Sequence, residues 1–469
     1  MNASVSALSF TSGDQTFRTD RFSYLLCGTA ADAPFRCEGS RWELSEDRAA
    51  VELPELSLRV TRTMRACDGG AEESIEFYNY GEKKLRFSTI KLGWLLPLQE
   101  LTLHAIPFTV QQDGWRHVYS AETLRCGEHF QIVNNRLPEQ PGRYFGNSVY
   151  SDPSRPEPPL CEEGLLRSEA WFWGTERGGL LAAKYNNRDI EYAVAEPVGP
   201  AREELQLGGA GFCLYHEPSA AQELDAGQRF RFGSTFYYQA DDLTRACGLY
   251  RALLDRKGHA LPSDYAPKVH WNELYDIGWY HSDRAALNRS YTLPALLREA
   301  QKAHECGCGA LYLDPGWEFA EGTTFFDYHR LGDETELVKT LREQYGLSLA
   351  IRIILRTYVN YWPDALNAVH TPDGFASACM LPRTIIPSNQ LLYEQCLCNE
   401  PFRKEKERRA DKLAQDGAYF IMLDEMDWRG PCYRPGHGHA RPSTAYEHAD
   451  AVCRLAKHIK NTNHIQVEV

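Results

Sequence analysis

The rhythm of apolar and polar positions changes near residue 240. Before it, stretches such as Leu56 to Arg62 and Arg229 to Tyr238 alternate apolar and polar side chains over much of their length. Glu73 to Glu82 runs from a similar stretch into an Asn/Gly turn. Successive strand side chains point to opposite faces, so this rhythm predicts strands with one buried face. Gly, Pro, Asn and Asp clusters break the stretches at short intervals, and no long helical pattern interrupts them. Residues 1–240 therefore read as a large antiparallel β-sandwich.

From Asp241 the period lengthens. Asp241 to Leu254 carries apolar residues at helical spacing behind an acidic start, and Lys257-Gly258, Pro262 and Pro267 follow. Residues 241–265 read as a linker helix and connector. Over 266–469 strand and helix patterns alternate. Strands are predicted over Val269 to Leu274, Ala310 to Asp314, Ser348 to Ile354, Tyr419 to Asp424 and His464 to Val469. Helices are predicted over Thr292 to Glu305, Glu334 to Tyr345, Pro401 to Gln415 and Thr444 to Lys460. Such alternation implies a parallel sheet, doubly wound or closed into a barrel. There is no glycine-rich strand-to-helix turn of the phosphate-binding type. Asp and Trp at the strand ends favour a (β/α)8 TIM-type barrel, incomplete after about five strands, and the expectation is a fragment that stops within the fifth.

Composition narrows the class. With 43% hydrophobic and 25% charged residues among 469, the chain is an ordinary globular protein of two or three domains. A net charge of −13 disfavours a nucleic-acid or anionic-membrane partner, while a homo-oligomer stays open. The first ten residues lack a basic start and a continuous apolar run, so no secretory signal is read and a cytoplasmic location is expected. The 14 cysteines then count as buried thiols. Cys306/Cys308 and Cys396/Cys398 are CxC pairs, unlike the CxxC of zinc knuckles, and neither metal nor cofactor is expected.

The chemistry concentrates where apolar runs end in acids. Tyr419 to Leu423 ends in Asp424, Glu425, Asp427 and Trp428; Ala310 to Leu313 ends in Asp314-Pro315-Gly316-Trp317-Glu318. Trp271-Asn272-Glu273 closes the first strand, and Arg352 and Arg356 lie on and beyond the third. Desolvating carboxylates is expensive, and barrel strands deliver catalytic acids at this end. Glycoside hydrolysis needs paired carboxyl groups and aromatic platforms for sugar faces.

On these motifs the chain resembles the α-galactosidase-like glycoside hydrolases, family 36 and its clan neighbours. Asp314-Pro315-Gly316-Trp317 matches three of four positions of that family's second-strand Asp-Asp-Gly-Trp. Trp271-Asn272-Glu273 matches the first-strand motif in part, and Met422 stands where the family has Lys. The resemblance implies a retaining glycosidase of terminal α-linked sugars. Asp424 would be the nucleophile, Asp314 a ligand of sugar hydroxyls, and Trp317 a wall of the subsite. Trp271, Asn272, Arg352, Asp427 and Trp428 would complete the substrate site. The family's acid/base follows a sixth strand and is absent from this chain, so a fragment inactive by itself is expected. Other readings remain open: transglycosylation on the same scaffold, or a non-catalytic carbohydrate-binding protein. Asp424 as a turn residue with Asp427 catalytic, core tryptophans, and internal ion pairs for Arg352 and Arg356 are the plainer alternatives. Histidines 437, 439 and 448 admit a metal, but His437 and His439 read better as part of a lid over the sugar.

Overall fold

The alternating stretches of the first half become antiparallel strands whose inward residues form one apolar core. The computed structural model describes residues 1–97, 101–106, 119–121, 123–124, 132–134, 169–186, 191–199, 203–213, 222–277, 284–320, 322–354, 357–358, 367–374, 378–379, 392–393, 395–424, 432–439, 442–443 and 445–469. Contacts divide them into two units, Met1–Leu261 and Pro262–Val469.

In the first unit a six-stranded sheet is built around the long strand Leu85–Pro97, which pairs with Phe22–Ala30 on one side and Glu204–Cys213 on the other. A ten-stranded sheet runs through Gly178–Tyr185, Ser234–Ala240, Gly70–Asn79 and Leu58–Cys67. Along Leu58–Cys67 the buried positions fall on alternate residues up to Met64. Phe77 from one sheet meets Phe87 from the other with ring centroids 5.5 Å apart. Removing this apolar area from water is the main stabilising term.

The helix Leu243–Leu254 is capped by the Asp242 carboxylate, which accepts the Arg245 N–H at 2.7 Å. Ala246, Tyr250 and Leu253 are buried against Phe172, Phe236 and Tyr238 of the ten-stranded sheet. This helix is thus packed into the sandwich unit, whereas the sequence reads it as a linker.

The second unit holds a parallel sheet in the order β1 (His270–Asn272), β2 (Ala310–Leu313), β3 (Ser348–Ile354), β4 (Ala418–Asp424) and β5 (Gln466–Glu468). Its main helices are α1 (Leu293–Glu305), α2 (Glu334–Tyr345), α3 (Glu400–Asp416) and α4 (Ala445–Asn463). Helix α2 starts where Asp333 accepts the Thr335 N–H at 2.9 Å, and stops at left-handed Gly346. β1 is shorter than the sequence suggests. The Asn272 side chain accepts the Leu274 N–H at 2.9 Å and turns the chain into a short helix, Leu274–Ile277.

Both faces of this sheet carry apolar side chains, as a buried parallel sheet requires. Leu311, Leu313, Leu349, Ile351, Ile353, Ile421 and Leu423 pack with α1 to α4. Ala310, Tyr312, Ala350 and Phe420 form a smaller cluster on the opposite face. That smaller face positions the site.

Candidate functional site at the strand ends

Strand parity brings the candidates together. On β1 to β4 the residues sharing a face with the smaller cluster continue into Asn272, Asp314, Arg352 and Asp424. Asn272 Nδ2 donates to Asp314 Oδ2 at 2.7 Å. Arg352 Nε donates to Asp424 Oδ2 at 2.6 Å and lies 3.5 Å from Asp314 Oδ1. One guanidinium therefore spans two carboxylates from the strands on either side of it, β2 and β4. Access differs sharply: side-chain exposure is 7% for Arg352, 13% for Asp314 and 44% for Asp424. Asp424 is the accessible acid of the cluster.

Beneath Asp314 lies Glu273, wholly buried. Its Oε1 accepts the Asp314 N–H at 3.0 Å and the Tyr291 hydroxyl at 2.5 Å. Burial, and secondarily the negative charge of Asp314, push the Glu273 carboxyl well above the usual range. It acts as a buried peg for the end of β2. Sequence reasoning placed Glu273 in the first-strand motif but gave it no role.

The loop after β2 is locked by buried charge. Glu318 accepts the Gly322 N–H at 2.9 Å and the Thr324 N–H at 2.5 Å. From α3, Arg409 Nη1 donates to the Thr323 carbonyl at 2.7 Å and Lys406 Nζ to Thr324 Oγ1 at 3.1 Å. Burial raises the Glu318 carboxyl above its ordinary value, against the pull of Lys406.

The two described tryptophans of the expected site face elsewhere. Trp317 is 1% exposed in the helix-side core, its Nε1 donating to the Arg352 carbonyl at 2.9 Å. Trp271 donates to Glu299 Oε2 on α1 at 3.0 Å and packs against the same core. Both brace the backbone behind the cluster rather than join it: Trp271 takes the helix-facing parity of β1, and Trp317 is carried there by the turn that follows β2. Asp427 and Trp428, like Glu425 and Arg356, lie outside the described residues. His437 and His439 belong to a different grouping, with Cys396 and Cys432.

Fixed amide and guanidinium donors beside two carboxylates form a set suited to sugar hydroxyls, with one acid open to a reacting carbon. No protein-family model and no curated protein matches the sequence. Solved structures do. The GH36 α-galactosidase AgaB from Geobacillus stearothermophilus superposes with a TM-score of 0.54 at 12% identity, covering 98% of this chain and 62% of its own. A variant of AgaA from the same organism, in complex with 1-deoxygalactonojirimycin, gives 0.53 at 13%, with coverages of 99% and 64%. TtGalA from Thermus thermophilus, in complex with p-nitrophenyl α-D-galactopyranoside, gives 0.51 at 13%, with coverages of 89% and 70%. The chain thus has, distantly, the fold of the GH36 α-galactosidases: an N-terminal β-sandwich with a parallel α/β unit. It spans about three fifths of the length of AgaB.

Proposed function

We propose that this chain is part of a retaining glycosidase of terminal α-galactosides, with Asp424 as nucleophile. One observation carries the reading: Arg352 ties Asp314 to Asp424 at the ends of the strands flanking β3, and of the two acids Asp424 is the accessible one. The GH36-like fold supports it, and AgaA and TtGalA have been captured with galactose-type ligands. The parallel sheet is then a segment of a (β/α)8 wall. Its smaller apolar face would look into the barrel, and the C-terminal strand ends into the pocket.

In this mechanism the Asp424 carboxylate attacks the anomeric carbon as the bond to the leaving oxygen breaks, giving a glycosyl ester. Water then attacks the same carbon and frees the carboxylate. Asp314 and Asn272 hold sugar hydroxyls, while Arg352 balances charge and fixes the Asp424 rotamer. Glu273 keeps the Asp314 backbone in register.

Release of nitrophenol from p-nitrophenyl α-D-galactopyranoside tests the proposal, because a phenolate leaves with little help from a proton donor. Turnover by the wild-type chain that Asp424→Asn abolishes supports it. Absence of both turnover and galactoside binding by the folded chain overturns it. Binding without turnover would leave a carbohydrate-binding protein in its place.

A further inference from the structure

We infer that Cys396, Cys432, His437 and His439 form a tetrahedral zinc site that pins the loop beyond β4 to the turn ahead of α3. The four side chains come from two segments far apart in sequence, yet one ligand atom from each lies within 4.8 Å of all the others. A zinc tetrahedron with about 2.3 Å bonds to sulfur and about 2.1 Å bonds to nitrogen has edges of roughly 3.4–3.8 Å. The Cys432 Sγ to His437 Nδ1 separation of 3.7 Å already matches such an edge. A thiol–imidazole hydrogen bond would also account for that one distance. It would not account for a second thiol and a second imidazole converging on the same point.

The set has the right chemistry as well as the right spacing. Two sulfurs with two imidazole nitrogens, in a tetrahedral arrangement, select zinc among the common divalent ions. Cys396, Cys432 and His437 are buried and His439 is half-buried, so a bound ion would be shielded from water. The backbone holds both cysteines in place. The Cys396 N–H donates to the Asn367 carbonyl at 2.8 Å. The Cys432 N–H donates to Ser443 Oγ at 2.8 Å, and the Ser443 N–H returns a bond to the Cys432 carbonyl at 3.0 Å. Gly436 and Gly438 have φ of +87° and +80° on either side of His437. Only glycine takes this backbone cheaply, and it lets two histidines separated by one residue turn toward one point. The ring planes of His437 and His439 accordingly stand at 85° to each other, centroids 5.9 Å apart.

The site would act as a staple. Cys396 stands just ahead of α3, and 432–439 lies on the connection from β4 to α4, the connection that Asp424 begins. Closing a long loop through a metal removes conformational entropy from the unfolded chain and so stabilises the fold.

Elemental analysis of the whole chain, purified under reducing conditions without chelator, tests the assignment. About one zinc per chain is expected in the wild type and in Cys247→Ser, whose cysteine is exposed on the sandwich helix. Cys396→Ser and Cys432→Ser should each lower the content tenfold or more. Cobalt added to chelator-stripped wild type removes any dependence on how the variants fold: intense tetrahedral d–d bands with a thiolate-to-cobalt transition are expected, weakened in His439→Ala. Wild-type chain that holds no zinc and, while folded, gives no such cobalt spectrum overturns the site. A Cys396–Cys432 disulfide in the freshly isolated reduced protein does so too.

Discussion

Charged groups are buried in both units, but the sandwich encloses its own while the strand ends leave theirs open. In the sandwich Arg62 and Glu73 are each 1% exposed and 2.5 Å apart, with the guanidinium over the rings of Phe22 and Trp94. The second Glu73 oxygen accepts the Tyr237 hydroxyl at 2.7 Å, and that hydroxyl accepts the Gly209 N–H at 2.8 Å. Lys184 and Glu191 form a second enclosed pair at 3.2 Å, the ammonium also donating to the Gly233 carbonyl at 2.6 Å. Burial lowers the Lys184 ammonium and raises the Glu191 carboxyl, each offset by the other's charge. These ions meet protein on every side and have no room for a ligand. At the strand ends Arg352 is nearly as enclosed, yet one of its carboxylates, Asp424, is 44% exposed. A buried charge therefore says little about function by itself; an enclosed charge holding an accessible partner says more.

The largest effect expected from this contrast is on the open side. Asp424→Asn should lower nitrophenol release at least about a thousandfold while shifting unfolding stability by less than about 1 kcal/mol. A large loss of stability would make Asp424 a structural acid like Glu73. On the enclosed side the balance reverses. Arg62→Met strands a buried carboxylate and should cost about 3–5 kcal/mol in urea unfolding, with turnover per folded molecule unchanged. Adding Glu73→Gln, which keeps an acceptor for Tyr237, should return much of that loss.

Two acids lie between these extremes, buried without an ion-pair partner among the described residues. At the start of α2, burial and the nearby charge of Asp416 raise Glu334 from 4.5 to about 9. Below pH 4.5 the folded and unfolded states both hold this proton, so it contributes nothing to pH dependence. As pH rises through that value the unfolded chain releases the proton first, and stability falls until the folded group titrates near 9. Glu334→Gln should abolish this slope, gaining up to about 1.4 kcal/mol per pH unit over wild type between about pH 5 and about pH 8. Urea midpoints measured across that range check the sign; parallel curves would mean Glu334 ionises in the fold. The smallest effect belongs to Glu273→Gln. Its side-chain oxygen still accepts from Asp314 and Tyr291, so stability and turnover should each stay within about 1 kcal/mol of wild type. A much larger loss of turnover would show that the Glu273 proton takes part in the chemistry.

The strands and helices were largely legible because each buries one stripe or face, and that periodicity is written in the sequence. Ser348–Ile354 and Glu334–Tyr345 end where the pattern ends. Asp314, Arg352 and Asp424 were legible for the same reason: each continues the parity of its strand's inward apolar positions at or near the C-terminal end. Parity also predicts the opposite orientation for Trp271, whereas Trp317 lies in the turn after β2, where strand parity no longer applies. The Cys396–Cys432–His437–His439 grouping left only a partial trace, in the Cys396/Cys398 pair and the His437/His439 pair. Its ligands are neither in one CxxC nor on one helix, and only the fold brings the two segments together. Glu273 was hidden because its role rests on burial, which composition does not record.

The central claim is that Asp424 is a nucleophile. The direct measurement is mass spectrometry of the chain after incubation with 2-deoxy-2-fluoro-α-D-galactosyl fluoride, whose fluoride leaves without a general acid and whose 2-fluoro group slows hydrolysis of the ester. The account predicts one added fluorogalactosyl group, mapped to the peptide bond segment bearing Asp424 and absent in Asp424→Asn. A label on Asp314 or Asp427, or an unmodified chain that still binds the sugar, would contradict it.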